Sequence, residues 1–255
     1  MEVEALILVT VSRTSGSVPR EVGAWMTVLP DGIAGTVGGG HLEFDAIARA
    51  RTALAGGELD DEVRYPLGPT LGQCCGGVVW LRFERVEAGE ELAARLPIEP
   101  LKPVALFGAG HVGQAIARIA RDLPLALHWI DSRADQFPAE PPARGWRQEA
   151  LDPPADAVSD LAPGSAVLIM SHSHAEDFDI VAACLKRQRE QGDLAFIGLI
   201  GSRTKWASFR QRLEALGFTE AERDQVDCPI GVPGLAGKQP AVIAVAVLAQ
   251  VLTLP

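Results

Sequence analysis

Two adjacent thiols stand in Gln73-Cys74-Cys75-Gly76-Gly77. Glycines directly after them leave the sulfur with little side-chain cover. A thiolate there can act as a soft ligand for a thiophilic metal, as a nucleophile or as a sulfur carrier. Cysteines in general are most often small buried hydrophobes, and Cys184 and Cys228 read that way. A vicinal Cys74–Cys75 disulfide is a third reading and would be strained. A second chemical feature is the run Gly35-Thr36-Val37-Gly38-Gly39-Gly40-His41. Successive N–H groups at Gly38, Gly39 and Gly40, unobstructed by side chains, can form a nest for an anion. Upstream, Arg13-Thr14-Ser15-Gly16-Ser17-Val18-Pro19-Arg20 offers two guanidinium groups and three hydroxyls, enough to clamp a phosphate or a polar heterocycle. The same residues also make two tight turns with solvated arginines.

Gly108-Ala109-Gly110-His111-Val112-Gly113 is a GxGxxG between an apolar run and an amphipathic segment. In a strand–turn–helix, Gly108 permits the tight turn and Gly110 lets backbone approach a phosphate. Gly113 lets the helix pack close to the sheet, and the helix N-terminus, opening at His111, faces the anion. Asp131 closes the next apolar run about twenty residues on, where an acid accepts ribose hydroxyls, and Arg133 is placed to meet a phosphate instead. Ser171-His172-Ser173-His174 and Gly198-Leu199-Ile200-Gly201-Ser202-Arg203 follow two further apolar runs. His172 and His174, with Asp177 near, lack a third strong ligand at matching spacing, so hydrogen bonding to a ligand is favoured over zinc. There is no Ser nucleophile elbow, no Walker loop and no framed carboxylate pair.

These residues need strands and helices to hold them. Leu6–Val11, Trp25–Leu29, Ile33–Val37 and Val78–Phe83 predict strands, with a hairpin turn at Pro30-Asp31-Gly32 and a helix over His41–Leu54 ended by Gly56-Gly57. From Val104 the pattern alternates. Strands are predicted at Val104–Phe107, Leu125–Ile130, Ala166–Met170 and Leu194–Ile200. Helices are predicted at Val112–Asp122, Glu176–Arg189, Trp206–Leu216 and Pro240–Leu252. The fold class is therefore α/β: a mixed α+β domain over residues 1–85, a Pro-bounded linker over 86–102, and a Rossmann-like, doubly wound parallel-sheet domain over 103–255. The Pro- and Ala-rich stretch Asp135–Pro163 yields no assignment.

The chain has 255 residues, 47% hydrophobic and 22% charged, with a formal net charge of -10. That charge argues against a nucleic acid or an anionic membrane surface as partner. Ala241–Leu252 is too short to span a bilayer, and Met1-Glu2-Val3-Glu4 lacks the basic start of a signal peptide. Four cysteines in a chain this long fit a reducing compartment, so a cytoplasmic location is expected.

Taken together, Gly16-Ser17-Val18-Pro19-Arg20, Gly38-Gly39-Gly40, Leu71-Gly72-Gln73-Cys74-Cys75-Gly76-Gly77, Phe107–Gly113, Ile130-Asp131-Ser132-Arg133, Gly198–Arg203 and Cys228-Pro229-Ile230-Gly231 resemble the XdhC/CoxI family, accessory proteins of xanthine dehydrogenase and related molybdenum hydroxylases. The likeness runs through nearly the whole chain in the family's order. It implies a maturation chaperone with no turnover of its own. Such a protein binds the molybdenum cofactor (molybdopterin) as cargo and protects it while a cysteine desulfurase supplies the terminal sulfur. It then delivers the cargo to an apo xanthine dehydrogenase-type enzyme. Self-association as a homodimer through the docking surface is compatible with that role. In this reading Cys75, or Cys74, contacts molybdenum or the mobile sulfur beside Gln73, and Gly38–Gly40 or Gly108–Gly113 take the phosphate. A nucleotide would occupy the crevice at Asp131. The competing readings are an NAD(P)-dependent oxidoreductase using the GxGxxG site, and a regulatory module that senses nucleotide.

Overall fold

The computed structural model describes residues 5–68, 76–87, 101–139, 142–143, 145–235 and 237–254. The chain divides into two compact units, Met1–Ile98 and Glu99–Pro255.

Among its described residues the first unit is an antiparallel sheet with one helix. Its strands are β1 (Ala5–Ser15), β2 (Trp25–Val28), β3 (Ile33–Gly35), β4 (Glu62–Pro66) and β5 (Val78–Glu87), in the order β3-β2-β1-β5-β4. Helix α1 spans Gly40–Leu54. Ile7, Val9 and Val11 of β1 lie in the core with Met26, Val28, Leu81 and Phe83, and Leu42, Ala46, Ala50 and Ala53 of α1 close over them. The spacing of those four helical residues puts them on one stripe, which fixes which side of α1 meets the sheet. Strand β1 outruns its apolar stretch: pairing with β5 carries it through Arg13, Thr14 and Ser15. Its polar end therefore brings the Arg13–Arg20 segment to the start of β5, directly after Gly76-Gly77.

The second unit is a six-stranded parallel sheet: β6 (Lys102–Phe107), β7 (Leu125–Asp131), β8 (Arg147–Ala150), β9 (Ala166–Ile169), β10 (Phe196–Leu199) and β11 (Val226–Asp227). Their order is β11-β10-β9-β6-β7-β8. From β6 the chain winds outward through β7 and β8, then returns to the other side of β6 and winds out through β9, β10 and β11. That is the strand order of a doubly wound nucleotide-binding fold, and its switch point lies between β6 and β9. Every residue of β9 is buried, as a central parallel strand covered on both faces requires.

Helices α2 (His111–Ala120) and α6 (Pro240–Thr253) cover one face with Leu106, Leu127, Trp129 and Leu168 beneath them. Helices α3 (His174–Gln191) and α4 (Arg203–Ala215) cover the other, over Phe107, Ile130, Val167 and Ile169. A short α5 (Glu220–Arg223) opens with a capping box between Thr219 and Glu222. The unassigned Asp135–Pro163 stretch holds a 3-10 turn at Ala134–Gln136, edge strand β8 and a second 3-10 segment at Pro154–Asp160.

Candidate functional site

In the first unit, three motifs that are far apart in sequence meet. A Cβ on Gly77 would lie 2.4 Å from the Ser17 carbonyl oxygen and 2.6 Å from that of Ser15, so only glycine lets these backbones touch. Gly38, at φ +134, presses on Pro19, whose Cγ a Cβ there would meet at 2.5 Å. Arg20 donates to the Thr36 carbonyl at 3.3 Å. The Gly16–Arg20 turn thus sits between the triple glycine and the residues that follow the cysteine pair. Gln73, Cys74 and Cys75 themselves lie outside the described residues.

At the triple-glycine loop, backbone N–H groups converge on an anion that the chain itself supplies. Gly38, Gly39 and Gly40 all have positive φ. The Glu43 carboxylate, in the first turn of α1, accepts the Val37 N–H at 3.1 Å, the Gly39 N–H at 3.0 Å and the Thr36 hydroxyl at 2.6 Å. The Thr36 hydroxyl in turn accepts the Gly38 N–H at 3.2 Å. Burial works to raise the Glu43 carboxyl, but the Thr36 hydroxyl and the loop N–H groups outweigh it and hold it below the ordinary carboxylate range. A phosphate entering this loop would have to displace Glu43.

The glycine turn of the second unit divides its labour as the fingerprint implies. Gly108 has φ +120, and a Cβ on it would stand 2.2 Å from the Met170 carbonyl oxygen, where the ends of β6 and β9 part. A Cβ on Gly113 would meet the Gly108 carbonyl oxygen at 1.9 Å. The same carbonyl accepts the Trp129 indole N–H at 3.0 Å. Gly110, the N-cap of α2, differs: a Cβ there would meet no atom within 4 Å. The turn therefore opens at Gly110, with exposed His111 following it.

Asp131 is not poised as the sequence implied. Its side chain is only 2% exposed. It accepts the Ala109 N–H at 2.6 Å, the Arg133 N–H at 2.9 Å, and the Arg133 guanidinium at 2.9 Å and 3.0 Å. Both oxygens are engaged within the chain, so a ribose would reach them only if Arg133 swung away. Burial opposes its ionisation, yet Arg133 and the two amides prevail and keep its carboxyl below the usual range.

Beside this turn, the Ser132 hydroxyl donates to Glu176 at 2.8 Å, and the other Glu176 oxygen lies 3.2 Å from His172 Nδ1. Asp177, 1% exposed, accepts the Ser171 N–H at 2.8 Å and pairs with the Lys205 ammonium, which also donates to the Ile200 carbonyl at 3.0 Å. The Asp177–Lys205 pair ties the Ser171–His174 loop to the loop after β10. Sequence reasoning reached Ser171, His172 and the Gly198–Arg203 segment but missed Lys205, an apparent surface lysine. Burial pushes the half-buried Cys228 thiol up to about 11, against the pull of Lys205, and the sealed Cys184 thiol to about 12. Both stay protonated at neutral pH. Among the described residues, no group of three or more His, Cys, Asp or Glu can hold a metal ion, and no helix is long and apolar enough to cross a membrane.

Two family profiles match the chain: the XdhC Rossmann domain over residues 104–251, and the XdhC and CoxI family over residues 2–66. Of the curated relatives, the uncharacterized protein YqeB of Escherichia coli K12 is 28% identical over 244 residues, covering 93% of this chain. The chain spans only 41% of YqeB's length. The molybdenum cofactor insertion chaperone PaoD of the same strain is 25% identical over 278 aligned residues, covering 98% of this chain and 84% of PaoD. Among solved structures, one described as a xanthine dehydrogenase from Bacillus halodurans superposes with a TM-score of 0.75 at 19% identity, over 98% of this chain and 91% of that one. That likeness is one of fold.

Proposed function

Because the chain belongs to the XdhC and CoxI family, we propose that it is an accessory protein that carries the molybdenum cofactor to a xanthine dehydrogenase-type enzyme in the cytoplasm and shields it while a cysteine desulfurase installs the terminal sulfur. The observation that carries this reading is the meeting of the Gly16–Arg20 turn, the triple-glycine loop and Gly76-Gly77 at one end of the first unit's sheet. A phosphorylated pterin bearing a thiophilic metal needs backbone N–H donors, cationic side chains and a soft sulfur close together. In this reading Arg20 brings a cation, the loop N–H groups become donors once Glu43 is displaced, and the Cys74-Cys75 pair that precedes Gly76 in sequence brings the sulfur. PaoD, related over nearly all of this chain, is by name a chaperone for that cofactor.

A nucleotide at the second unit, whether free or as part of a dinucleotide form of the cargo, is the natural guest of the opening at Gly110. There the backbone is bare and the N-terminal end of α2 favours negative charge. The nicotinamide oxidoreductase reading loses ground, since the acid it needs for ribose is held by Arg133 and Ala109.

Purification without air, followed by metal analysis and oxidised-pterin fluorescence, tests the cargo reading: molybdenum and pterin are expected in step with protein. Cys74→Ala/Cys75→Ala should lose molybdenum retention. A double variant that keeps its cargo as tightly as the parent removes the sulfur from the site. A parent that carries neither molybdenum nor pterin, and takes up none from a donor extract, overturns the reading.

A further inference from the structure

The crossover from β7 to β8 runs from Ser132 to Trp146. Among its described residues the only helical piece is the 3-10 turn Ala134–Gln136. Parallel strands are ordinarily joined by an α-helix packed on the sheet. Here the described residues of the crossover form no such α-helix. A cavity of about 590 Å³ occupies the position, within the range of about 300–1,000 Å³ usual for small-molecule sites.

The walls of the cavity are chemically specific. Trp129, Phe137 and Trp146 line it, with Trp129 and Phe137 edge to face at 5.3 Å. Both indole N–H groups are spent inside the protein, Trp129 on the Gly108 carbonyl and Trp146 on the Leu125 carbonyl at 2.9 Å. Trp129 is buried in the core, so what the wall offers a guest is the ring face of the half-buried Trp146. Arg118 and Arg121, one turn of α2 apart, stand on the rim, with the Arg121 guanidinium 5.9 Å from the Trp146 ring. Gln114 and Gln148 add amides that both donate and accept. Asp135 lines the same wall, so the two guanidinium groups leave the cavity a surplus of one positive charge in a chain of net charge -10.

We propose that this cavity binds a fused, nitrogen-bearing aromatic bicycle that carries an anionic group, the chemistry shared by purine nucleotides and carboxylated pterins. The ring lies against the Trp146 indole, its edge meets the glutamine amides, and its anion meets Arg118 and Arg121. The site is separate from the Gly110 opening, but Gln114 touches both: its side-chain amide donates to the Ala109 carbonyl at 3.0 Å and to the Gln136 carbonyl at 3.2 Å.

Titration of the full-length protein with guanosine monophosphate, guanosine and pterin-6-carboxylate, followed by tryptophan fluorescence and calorimetry, tests the proposal. Saturable binding of guanosine monophosphate or of the carboxylated pterin is expected, and comparing the two says which source is preferred. Uncharged guanosine and the exposed-site variant Arg118→Glu should each weaken binding at least about tenfold. Arg121→Ser gives a second reading on the same rim. The absence of saturable binding of either anion up to about 1 mM, or equal affinity in Arg118→Glu and parent, would each overturn it.

Discussion

The two glycine turns look alike in sequence and do opposite things. Each joins a strand to a helix, and in each an acidic side chain of the chain itself takes a backbone N–H. In the first unit the acid is Glu43, inside the helix that follows, and it takes both the Val37 and Gly39 N–H groups together with the Thr36 hydroxyl. In the second it is Asp131, at the end of the neighbouring strand, and from the glycine turn it takes the Ala109 N–H, leaving the turn bare at Gly110. Three consecutive glycines offer more naked amides than GxGxxG does, yet theirs is the loop that arrives filled. Glycine count reports where the backbone can bend. The position of the nearest carboxylate decides whether a guest finds donors there.

The sharpest break in that comparison comes from the packing glycines. Gly113→Ala sets a methyl 1.9 Å from the Gly108 carbonyl oxygen, backbone against backbone, and should cost about 3 kcal/mol or more in urea unfolding. A loss under 1 kcal/mol would show the turn to be far softer than its geometry. Asp131→Asn leaves Arg133 without its counter-charge. Since Arg133 is a third exposed and solvent screens it, about 2 kcal/mol is expected at neutral pH. The folded carboxyl titrates below its unfolded value, so this stabilisation is full above about pH 4 and fades as pH falls through the folded value. The gap between variant and parent should therefore close in acid. A gap that persists there would mean the loss is one of packing.

Glu43→Gln removes the charge from the first turn and should cost about 1 kcal/mol by thermal unfolding. It should also raise affinity for inorganic phosphate, measured by calorimetry, because the nest loses its resident anion. No gain in phosphate binding would show that this loop accepts no guest. Smallest of all, Gly110→Ala enters open space at φ -72 and should change stability by less than about 0.5 kcal/mol. Nucleotide binding at that turn should nevertheless fall. Unchanged binding would make the second turn as purely structural as Gly113.

Where burial writes a period into the chain, the sequence was readable. The alternation of apolar runs with amphipathic segments from Val104 onward announced the parallel sheet, because β9 and its neighbours are covered on both faces and must be continuously apolar. Polar edges left no such trace. Strand β8 reads Arg-Gln-Glu-Ala, β4 carries Glu62 and Arg64 and ends on Pro66, and β11 is two residues long; pairing with a neighbour makes them strands. At the sites, the roles of Gly108 and Gly113 were legible because a tight turn and a close helix leave glycine as the residue that fits. The engagement of Asp131 was not, since Arg133 two residues on serves equally as a phosphate ligand or as the acid's partner until coordinates decide. Glu43 left one faint signal: an acid in the first turn of a helix favours the N–H groups there.

That resident carboxylate bears on discrimination. A loop plugged by its own side chain ignores any small oxyanion that merely drifts past, because eviction costs more than two or three new hydrogen bonds return. Only a visitor anchored at several further points could pry Glu43 loose. Admission would then grow easier only in strong acid, below the ordinary carboxylate range, where the plug picks up a proton and lets go.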